Sequence, residues 1–181
     1  VIKNVEKMVG SAFRGAEITD AIKNYAKKAD AAPSAVLFKA VVKNSMELLY
    51  VKQGSFKFKF IEDYPQEVFL WVNFSNLQEI IFNAVDNSCD AMALKMKLCD
   101  SGDLNIKDYD PQVIIRGRII DKNFTFEIED NGLGFEEERL KKGVDVPFFT
   151  TKGAGKGTGM GIHMMAHYAK QNGGDLKIES E

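Results

Sequence analysis

The residues Ile2, Val5, Val9, Ala12, Ala16, Thr19, Ile22 and Ala26 recur at steps of three and four and form one stripe. That period predicts a helix over residues 1 to about 30. Gly10 and Gly15 weaken it, so the helix needs a partner to pack against. Residues 29–34 break the pattern, because Pro33 disfavours helix at Ala32 and lacks a donor. A domain boundary is expected there. A second amphipathic helix is predicted over residues 37–52, with Val41, Val42, Ser45, Leu48 and Leu49 inward and Gly54 as its end.

The pattern then changes period. Residues 56–60 read FKFKF, with three phenylalanines on one face and Lys57 and Lys59 on the other, which predicts a half-buried strand. Residues 68–72 predict a second, short strand. Ser75 with Gln78 three residues on reads as a capping box, opening a helix that runs to about Leu98. The polar stretch 100–111 is a surface loop. Residues 112–120 and 123–130 predict strands joined by Asp121-Lys122, most simply an antiparallel hairpin. Residues 132–161 are glycine-rich and hold only one short helical pattern, 136–142. A segment that long is more than a plain connector and is expected to be functional or mobile. A helix over about 160–171, closed by Asn172-Gly173-Gly174, and a strand over 175–180 complete the chain. Strands in adjacent pairs with few, long helices predict an α+β layer with helices on one sheet face, not a βαβ repeat.

Composition narrows the class. The 181 residues, 45% hydrophobic, suffice for one compact domain with a short appendage. With 24 basic and 26 acidic residues the net charge is −2, which argues against a general nucleic-acid surface. No apolar run approaches the ~18 residues of a membrane span, and no signal peptide is visible. Cys89 and Cys99 make neither a disulfide framework nor a metal knuckle, so the chain reads as reduced and cytoplasmic.

Three stretches carry chemistry. Residues 155–161, GKGTGMG, open a helix. Glycines let backbone N–H groups approach an anion closely, and a helix N-terminus favours negative charge. Such a run alone is also an ordinary flexible loop, and it fits neither the GxxxxGK[ST] loop nor the dinucleotide fingerprint. Asp130 follows the alternating Phe124, Phe126 and Ile128 and precedes Gly132 and Gly134. Its carboxylate can accept from an amino group, and the glycines leave room for a flat ring, although an Asp-Gly pair by itself is more often a turn. On the helix from Ser75, Glu79, Asn83 and Asn87 share one face, with Asp86 and Asp90 in a second polar stripe. Ile80, Ile81, Ala84, Val85 and Ala91 supply the core side. Amide oxygens suit a Mg²⁺ that keeps several waters and bridges phosphates; a solvated helix face is the plain alternative.

In this order the stretches resemble the ATP-binding domain of bacterial sensor histidine kinases, and more distantly of type II topoisomerases, ninety-kilodalton heat-shock chaperones and mismatch-repair ATPases. The asparagine box resembles Asn83 to Asn87 with Asp90, the first glycine box DNGLGF at 130–135, the phenylalanine box VPFFTTK at 146–152, and the second glycine box GKGTGMGIH at 155–163. The similarity runs on through NGGDLKIES at 172–180 and covers residues 34–181. PFFTTK followed by GKGTGMG is most similar to kinases resembling the nitrogen-regulation sensor.

The resemblance implies an α+β fold: a two-layer α/β sandwich of the Bergerat type, a mixed sheet covered by helices on one face, with an N-terminal helix from a dimerisation hairpin. Residues 1–33 would be the C-terminal helix of that phosphoacceptor hairpin plus linker. Residues 34–181 would be the ATP-binding catalytic domain, with a lid at about 132–160. It also implies roles. Asn87 binds Mg²⁺ and Asn83 sits near the phosphates or the metal. Asp130 accepts from the adenine amino group, and Gly132 and Gly134 shape the pocket. Phe148, Phe149, Thr151 and Lys152 lie in the lid. Lys156 neutralises phosphate charge, and Gly157, Thr158, Gly159 and Gly161 contact phosphates.

Two departures bear on activity. Topoisomerase-like relatives have a glutamate base where Asn83 stands, so water attack is poorly assisted here and transfer to a protein acceptor is favoured. The phosphoacceptor histidine is expected upstream of Val1. His163 and His167 read as ordinary helix residues; their i, i+4 spacing suits a metal, but no third ligand is evident. The implied function is a sensor histidine kinase core in two-component signalling. It would use ATP and Mg²⁺ and pass the γ-phosphoryl group to a histidine outside this fragment. Its expected partners are the histidine-bearing dimerisation helix, a response regulator and a second copy in a homodimer, with no nucleic acid. The alternatives are a nucleotide-gated scaffold and an ATPase of the same superfamily.

Overall fold

The computed structural model describes residues 32–54, 56–135 and 160–180. The helix expected over residues 1 to about 30 lies outside them, as does most of the expected lid. Along the described chain come β1 (Ser34–Leu37), α1 (Phe38–Gln53), β2 (Lys59–Asp63), β3 (Phe69–Val72), α2 (Phe74–Ser101), β4 (Gln112–Ile120), β5 (Asn123–Asp130) and α3 (Gly161–Gln171).

The strands form a mixed three-stranded sheet, β2-β4-β5, and a separate antiparallel pair, β1-β3. β2 runs parallel to β4, with Phe60 opposite Val113, and β5 runs antiparallel to it, with Ile128 opposite Ile115. The expected hairpin turn is present, and both Asp121 (φ 48°) and Lys122 (φ 68°) adopt the left-handed conformation. That geometry matches the twist of the flanking strands in a two-residue connection.

The fold is α+β, with helices packed on one face of the mixed sheet. Val113 and Ile115 of β4 are fully buried against Phe38, Val41, Val42 and Leu49 of α1 and Ile81, Val85 and Met92 of α2. Phe124, Phe126 and Ile128 of β5 join that core on the alternate positions the sequence marks. Gly117 in β4 is required by this packing. A β-carbon there would meet the Phe124 ring at 2.7 Å and Tyr64 at 2.8 Å. α3 packs beside α2 through Met165, Tyr168 and Ile80.

Several expectations shift. β1 falls between the break expected at 29–34 and the helix expected from Leu37, and takes one residue from each, because a four-residue strand with Val36 as its one buried side chain gives no readable period. Leu48, expected inward, is 53% exposed, and Met46 takes the core position instead. The alternation at 56–60 is real in burial, but the ladder starts at Lys59, whose N–H donates to the Pro111 carbonyl at 2.8 Å. α2 begins before Ser75, since the Asn73 side chain accepts from the Asn76 N–H at 3.1 Å and so is the cap. The strand expected over 175–180 is not formed. Those residues alternate in burial, and Leu176 packs with the α3 cluster, but they pair with no strand among the described residues. Alternation marks a face, and only a neighbouring strand makes a ladder.

Candidate functional site

α2 is the spine of the site. Glu79, Asn83, Asn87, Ala91 and Lys95 follow one another at steps of four and form one ridge along the helix. All five are half-buried. Asn83 donates to Glu79 at 3.4 Å, a long bond on the ridge itself. Ala91, read from the sequence as a core residue, belongs to this ridge; the buried apolar positions of α2 are Leu77, Ile80, Ile81, Val85, Cys89 and Met92.

The other polar stripe has a different task. Asp86 is buried, and its two oxygens accept from Lys52 Nζ and Gln53 Nε2, each at 2.8 Å. These partners lie on the last turn of α1 and fasten that helix to α2. Asp86 is therefore accounted for as a structural carboxylate.

At one end of the ridge stands the start of α3. A β-carbon at Gly161 would lie 3.8 Å from Asn83 Oδ1 and 3.8 Å from Asn87 Nδ2. The first backbone of α3 thus faces the asparagine pair. The far end of α3 is fixed to the start of α2: Asn172 Oδ1 accepts from the Asn73 N–H at 2.9 Å, and Asn76 Nδ2 donates to Gln171 at 2.9 Å. α3 therefore runs antiparallel to α2, and its N-terminus, where N–H groups carry partial positive charge, lies beside the two amides.

At the other end stands the turn after β5. Asp130 continues the inward face of Phe124, Phe126 and Ile128, so a carboxylate sits where a core residue would otherwise lie. Its Oδ1 accepts from the Gly132 N–H at 2.8 Å, and among the described residues its second oxygen accepts no bond. Gly132 touches the ridge: a β-carbon there would come within 2.7 Å of the Ala91 β-carbon and 2.7 Å of Asp130 Oδ1. Gly134 has φ 69°, a conformation that favours glycine.

The sequence reading missed the supports of this turn. Asn131 Oδ1 accepts from the Gln112 N–H at 3.0 Å and from the Tyr109 hydroxyl at 3.2 Å, while its Nδ2 donates to the Asp110 carbonyl at 2.8 Å. Lys95 Nζ donates to the carbonyls of Asn131 at 2.7 Å and Gly132 at 3.0 Å. The i, i+4 spacing of Lys95 from Ala91 was available; that the turn lies over it was not. Burial and then the Asp130 carboxylate push the Tyr109 hydroxyl up to about 12, so it stays a donor near neutrality. Burial and then Asp86, Asp90 and Asp130 push the Cys89 thiol up to about 12.

The structure thus brings Asn83, Asn87, Asp130, Gly132 and Gly161 to one ridge of one helix. Phe148, Phe149, Thr151, Lys152, Lys156, Gly157, Thr158 and Gly159 lie outside the described residues. Among the described residues no group of three or more His, Cys, Asp or Glu side chains could hold a metal. A hollow of about 260 Å³ lined by Leu48, Gln78, Glu79 and Phe82 touches the ridge only at Glu79.

Residues 73–181 match the family profile of histidine kinase-, DNA gyrase B-, and HSP90-like ATPases. The chain belongs to this ATPase family. Within it, this histidine kinase-type ATPase domain is 27% identical over 177 residues to the C4-dicarboxylate transport sensor protein DctB of Pseudomonas aeruginosa, covering 97% of this chain and 27% of that protein. It is 48% identical over 56 residues to the sensor kinase CckA of Brucella abortus, covering 31% of this chain and 6% of that protein. The domain spans about a quarter of the length of the first relative, 27%. Among solved structures, the mycobacterial sensor histidine kinase MprB is similar with a TM-score of 0.59 at 18% identity, over 78% of this chain and 81% of that chain. The catalytic domain of histidine kinase ThkA gives 0.59 at 15% identity, over 78% and 83%. At such identities the likeness is one of fold. Among the described residues no helix of the domain is long and apolar enough to cross a membrane.

Proposed function

We propose that this domain binds Mg-ATP along the α2 ridge and passes the γ-phosphoryl group to a histidine on a dimerisation helix, as the catalytic core of a two-component sensor kinase. One observation carries the reading. A single helix face holds two amides opposite a helix N-terminus and, one turn beyond Asn87, a glycine turn bearing a half-buried carboxylate. The first end suits a chelated triphosphate, and the second suits a flat ring with an amino group.

The residue roles follow. Asp130 accepts from the adenine amino group with its second oxygen. Gly132 and Gly134 leave room for the ring. Asn87, with Asn83 beside it, fits Mg²⁺, because neutral amide oxygens suit a cation that keeps water and shares phosphate ligands. When bound, the ion supplies charge neutralisation on the triphosphate. The N–H groups at the start of α3 hold phosphate oxygens, and the stretch from Phe148 to Gly159, with Thr151, Lys152, Lys156, Gly157 and Thr158, closes over the nucleotide. Asn83 has no proton to give or take near neutrality, so water is not activated and the nucleotide is kept for the acceptor. Residues 1–33 form the helix and linker of the dimerisation hairpin, and residues 34–181 form the catalytic domain. The parent protein works as a homodimer with a response regulator as the next acceptor, on the cytoplasmic side.

The test supplies this chain with radiolabelled ATP, magnesium and a separate histidine-bearing hairpin. Acid-labile label on the hairpin, with little free phosphate, is the expected result. Nucleotide binding with an unlabelled hairpin would instead leave a nucleotide-gated scaffold, and steady phosphate release would leave an ATPase.

A further inference from the structure

We propose that Lys95 and Tyr109 are positioning residues that set the Asp130 carboxylate against the α2 ridge. This rests on the purine role given to Asp130, but the positioning itself is measurable without a nucleotide.

The turn after β5 leaves the sheet at Asp130 and must be held at a fixed height along α2, or its carboxylate and the asparagine pair lose their spacing. Gly132 against Ala91 sets how close the turn comes. Contact alone does not fix its height, since a glycine can slide along a helix. Lys95, one turn beyond Ala91, supplies direction: its ammonium reaches two successive carbonyls, those of Asn131 and Gly132. Pulling the Asn131 carbonyl toward α2 turns the Gly132 N–H of the same trans peptide the opposite way, onto Asp130 Oδ1. That bond occupies one carboxylate oxygen and orients the other.

Tyr109 completes the clamp from the loop before β4. Its hydroxyl lies 3.1 Å from the Asn131 carbonyl and 3.2 Å from Asn131 Oδ1, and its ring lies 5.1 Å from the Lys95 ammonium. The ring faces a cation at the range where the two attract. Lys95 is thus held between an aromatic face and two carbonyls. Neither side chain has to touch the nucleotide to do this.

The test uses the full 181-residue chain with Lys95→Met, Lys95→Arg and Tyr109→Phe. Amide hydrogen exchange at Gly132 reads the positioning directly. Lys95→Met is expected to speed Gly132 exchange about tenfold, since one charged hydrogen-bonding group is lost. Exchange at Val85, in the buried core, should stay unchanged. Lys95→Arg should restore most of the protection, and Tyr109→Phe should give a smaller rise. Calorimetry then compares ATP with inorganic tripolyphosphate, both with magnesium. Lys95→Met should weaken ATP about tenfold and leave tripolyphosphate unchanged. Unaltered Gly132 exchange in Lys95→Met overturns the proposal, as does an equal loss for both ligands. A wild-type chain that binds no ATP overturns the proposed function instead, and Gly132 exchange still decides the positioning.

Discussion

Gly132 packs on Ala91 so closely that a β-carbon at position 132 would lie 2.7 Å from the β-carbon of Ala91. The turn after β5 therefore rests directly on the Ala91 methyl of the α2 ridge, with no room for a side chain at position 132. Gly132→Ala must push the turn off the helix. The expected cost is about 1–3 kcal/mol of stability, the usual range for overpacking, with a loss of ATP affinity. Urea denaturation and calorimetry check the two effects. Ala91→Gly in the same chain should recover only part of the stability, because Asp130 Oδ1 also lies 2.7 Å from the added carbon.

The two ends of the ridge should respond differently to substitution. Asp130→Asn keeps an acceptor for the Gly132 N–H but replaces one oxygen with a donor, which then faces the purine amino group. ATP affinity is expected to fall at least about tenfold, while tripolyphosphate binding holds. Asn87→Asp adds a negative charge beside the proposed metal position. It should change the magnesium dependence and abolish transfer while altering nucleotide affinity less. Titrations at several magnesium concentrations, read beside the label on the acceptor hairpin, separate the two. Unchanged affinity and transfer in both variants would place the site elsewhere.

Asp86 belongs to the frame. Asp86→Ala removes the acceptor of Lys52 and Gln53, at 2.8 Å each, and loosens the last turn of α1. Lys52 is 55% exposed and regains water easily. The expected loss is therefore moderate, about 1–2 kcal/mol, read as a lower urea midpoint. The proposed nucleotide contacts should survive at temperatures where the variant stays folded.

Stability should also depend on alkaline pH. Cys89 is fully buried, and its thiol is raised from 9.0 to about 12, so the folded chain holds a proton that the unfolded chain releases sooner. The stability this contributes is complete below about pH 9 and is lost as pH rises from there to about 12. Cys89→Ala should flatten that part of the urea-midpoint profile. The same burial predicts that Cys99 reacts with a thiol reagent in the native state while Cys89 waits for unfolding.

Much of this was legible in the order of residues. Period four on α2 puts Asn83 and Asn87 together, and period two on β5 puts Asp130 on the core side. Both are properties of a single element, fixed by helix and strand geometry. The turn at Asp121-Lys122 and the Gly54 stop of α1 follow from equally local chemistry. What failed was also local in cause. β1 is too short to show a period, and the Asn73 cap competes with Ser75 for the same helix start. Residues 175–180 alternate as a strand does, yet a ladder needs a second strand that no alternation can supply.

The sequence by itself determined the elements, the apolar faces and the residue types able to hold a nucleotide, because these depend on neighbours within one or two turns. Tertiary structure decided which of those residues share a site. Only packing sets Gly161 against Asn83 and Asn87 and Gly132 against Ala91. Only packing separates Asp86, bound to α1, from the ridge beside it, and brings Lys95 and Tyr109 under a turn many residues away. Contacts between distant segments depend on how whole faces bury against each other, and no short window of residues contains that information.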